Sequence, residues 1–129
     1  MRLLKQKKGQ SLVETAIVLP LVLLLLMGIV DFGFLFNNYI VISNASREAA
    51  RKGSLGGTDA EITQLIQNYT STLDPSRLNI EIYPDQSQRF HGSEIRITLR
   101  YNNRLITPVI GSLLGEDITL QGQVIMRVE

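Results

Sequence analysis

The chain contains no cysteine and only one histidine, His91, among its 129 residues. The absence of cysteine excludes disulfides, thiolate metal sites and cysteine nucleophiles. A single histidine without cysteine argues against a zinc site, and the sequence has neither an HExxH motif nor a phosphate-binding loop. We therefore expect a protein that is not an enzyme, with no metal, no cofactor and no small-molecule substrate.

Basic residues are concentrated at the N-terminus. Arg2, Lys5, Lys7 and Lys8 precede Gly9 without any acidic residue, whereas the rest of the chain has nine basic and twelve acidic residues. The later basic residues are interspersed with acids, so no basic stripe indicates a nucleic-acid partner. Positive charges before an apolar segment predict a cytoplasmic N-terminus and a C-terminal part outside the cytoplasm.

A run of sixteen residues without a formal charge extends from Thr15 to Val30. The hydrocarbon core of a bilayer requires roughly 20 helical residues, so this run and its flanks predict a transmembrane helix over residues 10–33. A cleaved secretory signal would require small residues in an A-x-A-like arrangement after the run, but the sequence there is DFGFLFNN. The segment is therefore expected to remain in the mature protein, with the lipid bilayer as its partner.

An amphipathic continuation of the helix is predicted over residues 34–52, ending near the Gly53, Gly56 and Gly57 breakers. The residues predicted to form its covered face follow a 4-3-4-3 spacing: Leu35, Tyr39, Ile42, Ser46 and Ala49. Phe36 and Ile40 lie beside this face. From Gln10 to Lys52 such a helix would measure roughly 65 Å, about twice the thickness of a bilayer core. Its outer half therefore needs a partner for its apolar face.

Residues 58–129 are predicted to form an exported α+β domain that supplies this cover. Thr58 and Glu61 form a capping-box pattern that opens a second helix ending around Leu73, with an inner face of Ile62, Leu65, Ile66 and Tyr69. Three segments then alternate apolar and polar residues, which indicates an antiparallel sheet covered on one side. Their apolar positions are Leu78, Ile80 and Ile82; Ile95, Ile97, Leu99 and Tyr101; and Ile118, Leu120, Val124, Met126 and Val128.

Between the last two segments, the stretch TPVIGSLL is unusually apolar for a connection. Two interpretations remain open: a short helix that closes the core, or a patch that faces a partner. The nearby acids Glu116 and Asp117, like Asp85, are expected to be solvated loop residues.

Glu14 is an ionisable residue just inside the apolar segment. It could extend to the cytoplasmic headgroups and be neutralised there by the basic leader, or it could have a partner within the membrane. The stretch KKGQSLVE resembles the type IV prepilin processing signal, in which a basic leader and a glycine precede the cleaved bond. The resemblance implies a leader over residues 1–9, cleavage by prepilin peptidase between Gly9 and Gln10, and Glu14 at the fifth mature position. Glu14 would then neutralise the new amine of Gln10 in a neighbouring subunit and set the axial register.

The wider sequence resembles the TadE-like family, minor pseudopilins of tight-adherence (Flp-type) pilus systems. The features that carry the resemblance are Glu14, the Leu19-Pro20 step, the region 28–33 with Asp31, the segment AsnAlaSerArgGluAlaAlaArg at 44–51, and the C-terminal stretch 105–129. It implies a pilin-like fold, an inner-membrane location, and pilin-like subunits and pilus assembly machinery as partners. The alternatives are a pseudopilin of a related secretion or competence machine, and an uncleaved membrane-anchored binding or sensory domain that does not assemble.

Two residues within the helix receive separate predictions. Pro20 cannot donate to the carbonyl of Ala16, so a kink or a loosened turn is expected there. This loosening could help the helix leave lipid for a filament, or Pro20 could be an ordinary transmembrane proline. Asp31 follows Glu14 by roughly 25 Å along a helix and is expected to mark the outer membrane interface first, and to bind a partner second.

Overall fold

The computed structural model describes residues 2–115 and 117–129, and within it a long N-terminal helix carries a small α+β domain on its C-terminal half. Met1 and Glu116 lie outside the described residues. In chain order the elements are α1 (Arg2–Ser54), α2 (Asp59–Tyr69), β1 (Leu78–Tyr83), β2 (Glu94–Arg104), α3 (Pro108–Leu114) and β3 (Asp117–Arg127). The predicted α+β class, with a long helix, a second short helix and a small antiparallel sheet, is confirmed.

Helix α1 has 53 residues, or about 80 Å of continuous helix. Leucine and other good helix formers dominate its first half, and alanine recurs in its second half. The helix ends within two residues of the predicted position, where the amide of Gly57 donates to the carbonyl of Lys52 at 3.0 Å. Gly56 has a φ of 89°, a conformation that glycine adopts without the steric cost that other residues incur.

The sheet is a three-stranded antiparallel meander in the order β1-β2-β3. Ile97 of the central strand lies opposite Ile82 on one side and Val124 on the other. The alternating positions Ile95, Ile97 and Leu99 are fully buried, which confirms the predicted faces.

Thr98 differs from this simple alternation. It lies on the opposite face of β2 from Ile97, yet it is only 5% exposed. Thr98 is in register with Glu81 and Gln123 on the flanking strands. A short side chain in a central strand is shielded by its longer neighbours, so burial here does not require a second covered face.

The second half of α1 packs against the sheet with small side chains. Ala45 and Ala49 are fully buried beside Ile42. At Gly122 of β3, an added Cβ would lie 3.0 Å from Cγ2 of Ile42 and 3.2 Å from its carbonyl oxygen. The missing side chain at this position therefore allows the helix and the strand to approach closely.

The covered face of α1 includes Leu35, Ile42, Ser46 and Ala49, as the apolar spacing predicts. Tyr39 is 48% exposed, so the prediction for this residue was wrong, and Phe36 and Ile40 beside the face are exposed as well. Asn38 occupies the covered face instead, where its Nδ2 donates to Oδ1 of Asn103 at 2.6 Å. A hydrophobicity pattern assigns asparagine to solvent, and it cannot detect a polar pair formed across 65 residues.

Helix α2 begins with the predicted capping box. The hydroxyl of Thr58 accepts from the amide of Glu61 at 3.2 Å, and the carboxylate of Glu61 accepts from the amide of Thr58 at the same distance. Ile62 and Ile66 are fully buried as expected, whereas Tyr69 at the C-terminal end is half exposed. The helix ends earlier than predicted, and the turns after Tyr69 lead directly into the sheet.

Candidate membrane and assembly surfaces

The apolar half of α1 is almost wholly exposed. Among the described residues, one helical stretch, Lys7–Ser54, is long enough and apolar enough to cross a membrane. The charge-free run lies in this half, and most of its side chains are exposed, although Ile110 of α3 covers Gly28. This half of α1 is therefore a candidate membrane anchor.

Gly9 and Gln10 lie within α1, and both are exposed. No atom outside the local helix lies within 4 Å of the position that a Cβ on Gly9 would occupy. The bond between them is thus accessible but helical, so a peptidase that requires an extended substrate would have to unwind the first turns of α1. The predicted cleavage stays a prediction.

Glu14 is an exposed residue in the apolar segment of α1. It precedes Phe32 by eighteen residues, which is five helical turns, so the two residues share a face of the helix. Val18, Leu21 and Leu25 connect them along that face at spacings of three, four or seven residues. The face carries one acidic group near its N-terminal end and apolar side chains along the rest.

On the same side of α1, an exposed apolar surface begins within the predicted membrane span and continues beyond it. We call this surface the outer stripe, and its members, 48% to 68% exposed, are Ile29, Phe32, Phe36, Tyr39 and Ile40. By the 100° rotation per residue of an α-helix, the centre of the outer stripe lies about 110° around α1 from the centre of the domain-facing residues, and Tyr39 lies at the border between the two sets. Those domain-facing residues are Gly28, Asp31, Leu35, Asn38 and Ile42.

Asp31 forms part of the contact between α1 and the C-terminal domain. Its side chain is 3% exposed, and its two carboxylate oxygens accept from the amides of Ile106 and Thr107, each at 2.9 Å. A carboxylate that accepts two backbone donors makes strong, charge-assisted hydrogen bonds. Asp31 therefore binds the entry to α3, a contact that the sequence does not reveal, because the partners are 75 and 76 positions away. Its role as a marker of the outer membrane interface stays a prediction.

Helix α3 and its entry combine features of both interpretations of TPVIGSLL. The segment does form a short helix, with Gly111 buried and Ile110 in contact with α1. An added Cβ at Gly28 would lie 3.0 Å from Cδ1 of Ile110, so the glycine makes room for this side chain. Leu113 and Leu114, however, are 79% and 59% exposed. The helix thus closes one edge of the fold and presents an apolar surface outward.

The remaining site prediction concerns Pro20. It lies inside α1, which continues as a helix on both sides of it, and its side chain is exposed. The proposed kink stays a prediction. Within residues 2–115 and 117–129, no group of three or more histidine, cysteine, aspartate or glutamate side chains is arranged to hold a metal ion.

These features define a class of protein: an exposed apolar N-terminal helix, suited to a membrane, which continues into the core of a small α+β domain. Residues 9–51 match the family described as TadE-like protein, so this part of the chain is similar to that family. The match covers Gly9, Gln10, Glu14, Pro20 and Asp31. No curated protein matched the chain. No solved structure matched it either.

Proposed function

We propose that this protein is a minor pseudopilin that helps to assemble a Tad (Flp-type) pilus or a related secretion filament. It acts through association of its N-terminal helix with those of other pilin-like subunits. The family match over residues 9–51 supports the pilus system, and the surface of α1 supports the mode of action. In this proposal prepilin peptidase removes residues 1–9, and the protein has no catalytic role.

The observation that carries the proposal is the length of the exposed apolar surface on α1. Exposed apolar side chains extend from Leu12 to Ile40, which spans about 42 Å of helix. A bilayer core covers only about 30 Å. If the core begins near Glu14, it ends near Phe34, so Phe36, Tyr39 and Ile40 lie beyond the hydrocarbon layer. These three residues of the outer stripe therefore require cover that neither the lipid nor this chain's own domain provides.

Glu14 supports the same mode of association because it lies on the face that continues into the outer stripe. After cleavage, the α-amino group of Gln10 would need a counter-charge once subunits pack in an apolar environment. A carboxylate from an adjacent subunit would neutralise that amine only when the helices are correctly aligned. The outer stripe would provide the packing energy, and Glu14 would set the register.

The proposal places the protein in the bacterial inner membrane with its C-terminal domain outside the cytoplasm. The basic residues before Gly9 favour cytoplasmic retention of the N-terminus. A reporter that is active only outside the cytoplasm, fused after Glu129, should be active, and a reporter active only in the cytoplasm should not. The opposite result would contradict the proposed orientation.

Photo-crosslinking in cells that produce the complete pilus system tests the association surface. Because the chain has no cysteine, Ile40→Cys introduces a single attachment point for a maleimide-benzophenone on the outer stripe. Illumination should crosslink this position to pilin-like subunits, identified by mass spectrometry. Ile125→Cys is the matched control, because Ile125 is similarly exposed but lies on the outward face of β3.

The control should give no crosslinks to pilin-like subunits, or far weaker ones. Equal yields from both positions would show unspecific proximity. If neither position crosslinks while pili form, the protein is better described as an anchored domain that does not assemble.

A further inference from the structure

The segment 105–115 is placed beside the part of α1 predicted to lie in the membrane. Ile110 contacts α1 at Gly28. Ile106 and Thr107 share an apolar groove with Leu23, Leu26, Met27, Val30 and Asp31 of α1. These residues of α1 precede the proposed outer boundary or coincide with it. The segment is therefore level with the outer part of the membrane span.

The depth follows from the length of the charge-free run. Thr15 to Val30 measures about 24 Å, which is shorter than the roughly 30 Å of a hydrocarbon core. Glu14 limits the extension on the cytoplasmic side, so the core must reach past Asp31 to about Phe34. Gly28, where Ile110 docks, then lies about 9 Å inside the outer edge of the hydrocarbon layer.

The composition of the segment suits lipid. Residues 105–115 carry no charged side chain, and Arg104 and Glu116 bracket them. Four large apolar side chains of the segment project outward, with exposures between 46% and 79%: Ile106, Val109, Leu113 and Leu114. Apolar exposure of this density on a short element is costly in water and favourable at the boundary between headgroups and acyl chains.

The backbone at the entry to α3 has few unpaired amides, which suits an environment with little water, where unpaired amides are expensive. Asp31 accepts the amide protons of Ile106 and Thr107, and Pro108 has no amide proton. The amide of Gly111 donates to the carbonyl of Thr107 at 2.9 Å. The carboxylate of Asp31 and the amides of Ile106 and Thr107 thus satisfy one another, whereas Thr107 makes no side-chain capping bond to the first turn of α3.

From these observations we infer that α3 and its entry, residues 105–115, insert into the outer leaflet and contact lipid directly. The occupant of the apolar surface is the bilayer itself, because the surface is continuous with the membrane-spanning face of α1. The insertion gives the domain a second attachment to the membrane and fixes its depth and tilt. This inference rests on the membrane insertion of α1 that the proposed function includes.

Spin-label accessibility in vesicles tests the inference on the full-length chain. Three single-cysteine variants, Leu25→Cys, Leu55→Cys and Leu113→Cys, replace exposed leucines and carry a nitroxide label. Each is reconstituted into vesicles of phosphatidylethanolamine and phosphatidylglycerol. Accessibility to oxygen, which partitions into lipid, is compared with accessibility to a water-soluble nickel chelate.

Position 25 reports the anchor, and position 55, just after α1 ends, reports water. The label at 113 should show a ratio of oxygen to nickel accessibility well above that at 55 and closer to that at 25. A ratio at 113 equal to that at 55 would overturn lipid insertion of α3 while a high ratio at 25 leaves the anchor intact. Low accessibility to both reagents at 113 would also overturn it, because the surface would then be covered by protein. Water exposure at 25 would overturn the anchor itself.

Discussion

Replacing Glu14 with glutamine or leucine should abolish incorporation into the pilus while membrane insertion and folding stay intact. Glu14 contacts nothing in the C-terminal domain, and the fold is built from residues beyond the apolar run. Leucine removes a polar group from an apolar helix, so the variant should insert at least as well as the wild type. Glutamine keeps the size of the side chain and removes the charge that would neutralise the Gln10 amine. Loss of assembly in both variants would therefore trace to the charge.

The measurement is piliation, together with crosslinking from the outer stripe, in a strain that lacks the wild-type copy. Intact mass from the membrane fraction shows whether residues 1–9 have been removed. Both Glu14 variants should lose this leader, whereas Gly9→Val should retain it because the added side chain obstructs the site. Glu94→Gln is the matched control, since it makes the same chemical change at an exposed position of β2.

Normal piliation by both Glu14 variants would favour the alternative in which Glu14 extends to the cytoplasmic headgroups. An unchanged mass of the wild type in the presence of active prepilin peptidase would indicate an uncleaved membrane anchor. The two results are independent: the mass tests cleavage after Gly9, and piliation tests the role of Glu14 in aligning the subunits.

Replacing Asp31 with asparagine should release the entry to α3 almost as effectively as replacing it with alanine. The carboxylate accepts from the amides of Ile106 and Thr107, and asparagine offers only one acceptor oxygen. Its amide group would point a donor at the second backbone amide. Each unsatisfied buried donor costs on the order of 1–3 kcal/mol, so the local loss should be about 2–4 kcal/mol.

Hydrogen exchange of the full-length protein in detergent or nanodiscs measures this loss locally. Peptides covering residues 105–115 should exchange roughly 30- to 1,000-fold faster in Asp31→Asn, which corresponds to about 2–4 kcal/mol. Peptides from β1 and from the centre of β2 should be unaffected. Asp85→Asn is the control, because Asp85 is exposed and its side chain makes no capping hydrogen bond. Wild-type protection of 105–115 in Asp31→Asn would show that the carboxylate does not hold this segment.

The elements of this fold were predictable where a local rule determines them. The capping box of Thr58 and Glu61 depends on residues three apart, and the strand faces depend on a period of two. The charge-free run before Asp31 identified the candidate anchor from composition and length alone. Each of these signals lies within a short window of sequence, and the structure agrees with each.

The remaining features depend on contacts between distant segments. The covered face of α1 includes Asn38 because Asn103 pairs with it, and no apolar spacing can reveal such a pair. Asp31 was predicted as a boundary residue because its position along the helix is visible in the sequence, but its hydrogen bonds to the α3 entry are not. Phe36 and Ile40 lie outside the core and form part of the outer stripe.

The continuity of α1 has a mechanical consequence. No flexible linker separates the apolar half of the helix from the half that carries Ile42, Ala45 and Ala49 in the domain core. Rotation or axial displacement of the apolar half must therefore turn or lift the whole domain. If this half is a membrane anchor, a force that draws it out of the bilayer would be transmitted directly to the sheet through the continuous helix. The contacts that hold the apolar N-terminal half of α1 therefore also determine the orientation of the domain.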